Sequence, residues 1–253
     1  MSNETLHLLQ THRSDRSFLD TPVSDADLAE IVDAAQRAPT SNNGQHISLV
    51  VVRDAARRAK IAQLANNQPW IAKAPVFVVV VVDFHKTRLA IELAGKTQNL
   101  HATAEGFAIG AVDAGITLAT LMTAARALGL GVVPIGGIRQ DSQGMIDLLE
   151  LPPLTFPMVG VSLGHVDQPA AQKPRLPLDT YRHDETYCGD TLAAGIAAYD
   201  QTLMAHWQSI GRADGLPWSA NTAAAFERGC ARKTAAVALA QGFAFDQTGD
   251  HGE

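Results

Sequence analysis

Apolar residues recur along this chain with two different periods, and the periods separate its helices from its strands. Leu28, Ile31, Val32 and Ala35 fall at helical spacing and give a single apolar face. The helix they imply opens at Ser24, a good N-cap, with Asp25 and Asp27 where the helix dipole favours negative charge. Pro39 ends it, because the residue before a proline is driven out of the α region. A short amphipathic helix, Thr5 to Thr11, precedes it, and Asp54 to Leu64 alternates charge and apolarity at helical spacing. The β-branched runs Ile47–Val52, Gly131–Ile135 and Met158–Leu163 read as strands. Val76–Val82 is valine-rich without alternation, which places it in the middle of a sheet covered on both faces.

The longest apolar segment, Ala104–Leu128, carries charge only at Glu105, Asp113 and Arg126. A helix apolar almost all round is buried on most sides, either in a core or in a dimer seam. Gly129 suits the left-handed position that closes it. Ile138–Leu149, Leu192–Ile210 and Ala220–Ala240 complete the helices, Asn66–Trp70 and Gly136-Gly137 are turns, and residues 85–103 match neither period. The proline-rich stretch to Arg182 is extended, and Asp246–Glu253 is a frayed tail. Four strands among some eight helices predict an α+β fold, a mixed sheet wrapped by helices. The C-terminal third has no strand to pair with and reads as a helical extension, giving a division at 1–190 and 191–253.

Composition narrows the setting. A chain of 253 residues accommodates one large domain with an extension. With 26 acidic against 20 basic side chains the net charge is -6, which favours neither nucleic acid nor an anionic membrane as partner. Cys188 and Cys230 form no CxxC pair, so a zinc site is not indicated and a reducing, cytoplasmic setting suits them. The N-terminus lacks a basic segment followed by an apolar one, so no signal peptide is expected. The longest uninterrupted apolar run, Ala74–Val82, falls short of the roughly 20 residues that cross a bilayer.

Against this acidic background two compact cationic clusters stand out: His12-Arg13-Ser14-Asp15-Arg16 and Lys173-Pro174-Arg175. A guanidinium fork suits a phosphate, and two such clusters in an acidic chain suggest one buried anion rather than a broad basic surface, while either cluster alone reads equally well as a solvated loop. Thr40-Ser41-Asn42-Asn43-Gly44-Gln45 is either a solvated loop or a backbone that approaches a polar ligand. Gly129-x-Gly131-x-x-Pro134 lacks the third glycine of a dinucleotide fingerprint and precedes a strand instead of following one. There is no P-loop and no nucleophile elbow, and His183-Asp184-Glu185 reads as an exposed turn rather than a metal site.

Taken together, His12-Arg13-Ser14-x-Arg16, Ala38-Pro39-Thr40-Ser41-x-Asn43-x-Gln45, Ile135-Gly136-Gly137 and Lys173-Pro174-Arg175-Leu176-Pro177 resemble, in order and spacing, the flavin-dependent nitroreductase family. The likeness is greatest to its NADPH-linked nitroreductase and flavin reductase branch, and it covers roughly residues 5–215. It implies a homodimer formed through long helices, with FMN in each subunit interface. It implies that His12, Arg13, Ser14, Arg16, Lys173 and Arg175 hold the FMN phosphate and ribityl chain. Thr40, Ser41, Gln45, Gln68, Gly136 and Gly137 would lie near the ring. NADPH would pass hydride through flavin N5 to a nitroaromatic, a quinone or free flavin in a ping-pong exchange, with no protein acid or base required. Gln45 is followed by His46-Ile47 where many relatives have a proline and a tryptophan, and the pyridine-nucleotide site is marked only by Arg212. A dehalogenating or oxygen-dependent relative on the same scaffold, or a flavin-binding dimer with a sensing or storage role, are the alternative readings.

Overall fold

The computed structural model describes residues 3–227 and 232–245. Packing divides the chain into two units, Met1–Ala170 with Arg232–Glu253, and Ala171–Ala231. Residues 232–245 belong to the first unit, separated in sequence from the rest of it.

The first unit is built on four strands: β1 (Ile47–Val52), β2 (Val76–Asp83), β3 (Gly131–Ile135) and β4 (Thr155–Gly164), in the order β1-β2-β4-β3. Every pairing is antiparallel, where the sequence suggested a mixed sheet. β2 is central, and all its residues from Val76 to Val82 are buried. Its alternation is real but hidden, since both faces are covered. Phe77, Val79 and Val81 enter a core with α3 (Ala55–Leu64), α4 (Pro69–Lys73) and α7 (Ser142–Leu149). Val76 and Val78 face α2 (Asp25–Gln36) and α6 (Ala104–Ala127) on the other side. β4 extends past β3, which pairs only with Gly160–Gly164. Pro157, which has no N–H to donate, sits in that overhang, and the register with β2 shifts beside it.

The helix limits follow local chemistry. Ser24 accepts a hydrogen bond from the Asp27 N–H and opens α2; Asp54 accepts one from Arg57 and opens α3. Residues 85–103 resolve into α5 (Phe84–Leu93) and a short 3-10 turn, Leu100–Ala102. Asp83 ends β2 and caps α5 through the Lys86 N–H, so no turn signal separates the two. The helix expected at Ile138–Leu149 is instead a 3-10 segment, Gly136–Asp141, followed by α7, because Asp141 accepts from the Gly144 N–H and starts the α-helix there. Ala220–Ala240 is two helices, α9 (Trp218–Phe226) and α10 (Thr234–Ala240). The expected tail 246–253 lies outside the described residues.

α6 alone among the described residues is long and apolar enough to cross a membrane. One face of it is this chain's own core: Leu121 is fully buried and Leu118 packs beside it. Ala108, Val112, Gly115 and Ala119 remain exposed at helical spacing on the other face. Gly129 closes the helix at φ 79°, as its position required.

In the second unit α8 (Leu192–Ser209) carries Tyr199, Leu203 and Trp207 into a small core with Leu176, Met204 and Trp218.

Candidate functional site

The His12–Arg16 cluster follows α1 (Glu4–Gln10) and is anchored by the residue the motif leaves least conspicuous. Asp15 is buried; its N–H donates to Val132 O (3.0 Å), and its carboxylate accepts from the Ala170 N–H (2.9 Å). It also holds the exposed Arg13 at 3.1 Å. Fixing the one acidic side chain inward leaves the two guanidiniums outward. Arg126 adds a third, donating to Leu8 O and to Thr11 Oγ1 (3.3 Å). Burial, then the neighbouring Arg13, lowers the Arg126 pKa. Arg13 and Arg126 line a cavity of about 390 Å³ together with His7 and Thr11.

Arg16 turns the other way. Its guanidinium lies over the Trp70 ring at 5.2 Å, and it donates to Ser14 O (3.2 Å). Trp70 follows Pro69, the first residue of α4, and its indole N–H is buried without a hydrogen-bond partner. Gln68 precedes that helix and donates to Ala65 O (2.8 Å). Its amide lies where a side chain on Gly137 would be. The Gly136-Gly137 pair is therefore not a turn requiring positive φ but a flat seat for Gln68. Arg16 thus meets Trp70, and Gln68 meets Gly137, at the start of α4.

Thr40, Ser41 and Gln45 lie on other elements, in the loop between α2 and β1. The Ser41 N–H donates to Asp113 Oδ2 of α6 (2.9 Å), and the Gln45 N–H donates to Thr40 Oγ1 (3.0 Å). His46 Nε2 stands 2.9 Å from the same Asp113 oxygen. Both side chains are almost inaccessible. Burial pushes the His46 pKa down; Asp113 opposes that push without cancelling it. Thr40 and Gln45 line a cavity of about 270 Å³ with Lys86 and Thr117.

In the second unit Lys173 and Arg212 share one aromatic ring. Lys173 Nζ lies 5.5 Å from the Trp207 centroid and Arg212 Cζ 4.7 Å from it. Arg212 also meets Asp214 at 3.2 Å. Gly215 lies flat against the indole, whose N–H donates to Leu216 O (3.0 Å). Arg175 is exposed and donates to Lys173 O (3.1 Å), while Tyr199 Oη donates to Pro174 O (2.9 Å) and pins the Lys-Pro-Arg backbone. Gln172, Lys173, Arg175, Thr202 and His206 border a depression of about 420 Å³.

Sequence reading missed Asp15, His46, Trp70, Asp113, Arg126 and Trp207. Only Asp113 carried a usable signal: a lone carboxylate in the middle of an apolar helix needs a buried partner.

A nitroreductase-family profile matches residues 9–165, and the profile of that family's C-terminal domain matches residues 173–246. An NAD(P)H-linked FMN reductase of Bacillus subtilis is 42% identical over 231 residues, spanning 89% of this chain and 92% of that protein. An NADPH-flavin oxidoreductase of Vibrio harveyi is 35% identical, over 82% of this chain and 84% of its own length. Among solved structures, a hypothetical oxidoreductase from B. subtilis superposes with a TM-score of 0.94 at 39% identity, covering 97% of this chain and all of that one. The V. harveyi NADPH:FMN oxidoreductase complexed with NAD+ gives a TM-score of 0.84 at 32% identity, covering 95% of this chain and 98% of its own.

Proposed function

The chain belongs to the nitroreductase family, and from that premise we propose that it is an FMN-dependent oxidoreductase that uses NADPH to reduce free flavin, nitroaromatics or quinones. The observations that carry this reading are the guanidinium of Arg16 over the Trp70 ring and the amide of Gln68 seated against Gly137, with Asp15, the one acid of the His12–Arg16 cluster, turned inward.

The residues fit FMN in donor type. Arg13 and Arg16 in the first unit offer only donors, which suits a phosphate dianion; in the second unit, taken by itself, Lys173 and Arg175 are of the same donor type. The buried indole N–H of Trp70 is an unused donor. Gln68, backed by Gly137, has an amide to offer a ring carbonyl or nitrogen. Bound FMN supplies the two-electron chemistry, accepting hydride from a nicotinamide and passing it on. The chain's part is to bind the phosphate, present hydrogen-bond donors where negative charge develops, and leave one face open to successive substrates. A ping-pong exchange follows from such a shared face. We assign Arg212 to the 2′-phosphate of NADPH, on the support of its exposed guanidinium held by Trp207 and Asp214.

We also propose a cytoplasmic homodimer. The exposed stripe Ala108, Val112, Gly115 and Ala119 on an otherwise apolar helix suits close pairing with a second copy. A dimer would also explain why Thr40, Ser41 and Gln45 lie on different elements from Arg16 and Gln68, since the two sets could meet across a subunit interface. The test is direct. The purified protein should show flavin absorption with one FMN per chain, and should oxidise NADPH faster when free FMN, a nitroaromatic or a quinone is added. A colourless protein that takes up no FMN would remove the proposal.

A further inference from the structure

The loop Thr40–Gln45 has a costly backbone. Asn42, Asn43 and Gln45 have φ of 51°, 53° and 49°, and Gln45 gains nothing from the short side chain that eases this region for asparagine. Left-handed residues in such density persist only where their surroundings hold them. Two buried side chains do the holding. Asp113 Oδ2 accepts from the Ser41 N–H at the loop's start (2.9 Å). His46 contacts the same oxygen at 2.9 Å from the loop's end. The imidazole is itself fixed: its ring stacks on Phe84 at 5.1 Å, and its backbone carbonyl accepts from the Asp83 N–H (2.8 Å). The loop rests on it, since a Cβ at Gly44 would stand 2.8 Å from His46 Nδ1.

We infer that Asp113 and His46 are positioning residues for the flavin reaction: they hold the Thr40–Gln45 loop in the conformation that meets bound FMN. The inference rests on the proposal above that this loop lines the flavin. Burial lowers the imidazole pKa and Asp113 opposes that shift, while Nε2 stays within 2.9 Å of the carboxylate.

The test compares Asp113→Leu with Asp113→Asn in the FMN-loaded protein. Leucine fills similar space but leaves the Ser41 N–H without its acceptor and removes the oxygen that His46 contacts. Asparagine keeps one carbonyl oxygen for both. Three quantities are read beside the melting temperature: FMN dissociation by fluorescence, the visible circular dichroism of the bound flavin, and kcat and KM for NADPH. Asp113→Leu should weaken FMN by about tenfold or more and change the flavin dichroism, the loss expected for an orphaned buried donor. Asp113→Asn should return both to within about threefold of wild type, since the acceptor is retained. Thr40→Ala/Gln45→Ala should reproduce the spectral change from the loop side. If Asp113→Leu does not fold, His46→Phe, which keeps the stack on Phe84, should change the dichroism in its place.

A lowered melting temperature with unchanged FMN affinity and dichroism in Asp113→Leu, or in His46→Phe where it stands in, would make the pair purely structural and overturn the inference. So would Asp113→Asn as impaired as Asp113→Leu, or a loop double variant with wild-type dichroism. Wild-type protein that binds no FMN overturns the functional reading as well, which separates the two failures.

Discussion

Substituting Gly137 with alanine pushes a methyl group into the space that Gln68 occupies. The new Cβ would collide with Gln68 Nε2, lie 3.4 Å from its Cδ and stand 3.1 Å from Ala65 O. Ala65 O belongs to the main chain at the end of α3 and cannot yield much, whereas the Gln68 amide can swing away. Swinging breaks its 2.8 Å hydrogen bond to Ala65 O. One such bond is worth about 1 kcal/mol net, and the residual squeeze against the carbonyl adds a few tenths or more. Gly137 has no positive φ, so backbone strain contributes nothing. The total is about 1–2 kcal/mol, or a fall of roughly 2–8 °C in melting temperature for a chain of this size. If Gln68 meets the flavin, FMN should weaken by roughly tenfold alongside. The decisive assay is a double-mutant cycle with Gln68→Ala, measured by thermal melts and FMN titration. Gln68→Ala removes the collision in advance, so the double variant should lose about 1 kcal/mol less than the two single losses added together. Additive losses, or a neutral Gly137→Ala, would refute the argument that the glycine exists to seat Gln68.

Three further outcomes are expected. Arg16→Ala and Arg175→Ala should each weaken FMN by about 1.5–3 kcal/mol for a lost charge-assisted contact, read by fluorescence titration; wild-type affinity in both removes the phosphate assignment. Arg212→Ala should raise KM for NADPH several-fold, with KM for NADH unchanged, because an exposed ion pair gives only about 1 kcal/mol; full NADPH preference in the variant would shift attention to Arg232 or Lys233. Burial lowers the pKa of both His46 and His101 from 6.5, so below that value the unfolded chain binds more protons than the folded one. Stability should therefore be full above pH 6.5 and fall as pH drops through the folded values, with His46→Gln flattening that slope in melts from about pH 8 to 5. A slope unchanged in the variant would show that other groups set it.

How much of this was readable from the chain depended on whether the cause was local. The valine run of β2 announced a strand covered on both faces, and Ser24 and Asp54 announced helix starts, because each signal lies within a few residues of its effect. The switch from β2 to α5 was invisible since Asp83 serves both elements. The glycine pair at 136–137 was legible as important but not for its reason, which is a side chain about seventy residues earlier. Leu118 and Leu121 belong to the apolar run that suggested a dimer seam, yet they face this chain's own core; only the stripe through Val112 is left for a partner. The Lys-Pro-Arg cluster was visible, but not that Trp207 holds Lys173 and Arg212 on one ring. The Asp113–His46 contact joins residues far apart in sequence, and no local pattern encodes such a meeting.

The return of residues 232–245 to the first unit has a consequence for synthesis. Ala238 and Phe243 are fully enclosed, Phe243 touching Phe84, Phe107 and Phe156, and Gln241 O accepts from the Leu154 N–H (2.7 Å). A chain emerging from the ribosome releases the sheet and its helices first and this plug among the last. Until then the aromatic pocket that awaits Phe243 stands open to water. The nascent protein thus carries an unfinished hydrophobic surface through the whole of the second unit's synthesis, and a stop codon placed just before residue 232 would yield not a trimmed enzyme but a core that never closes.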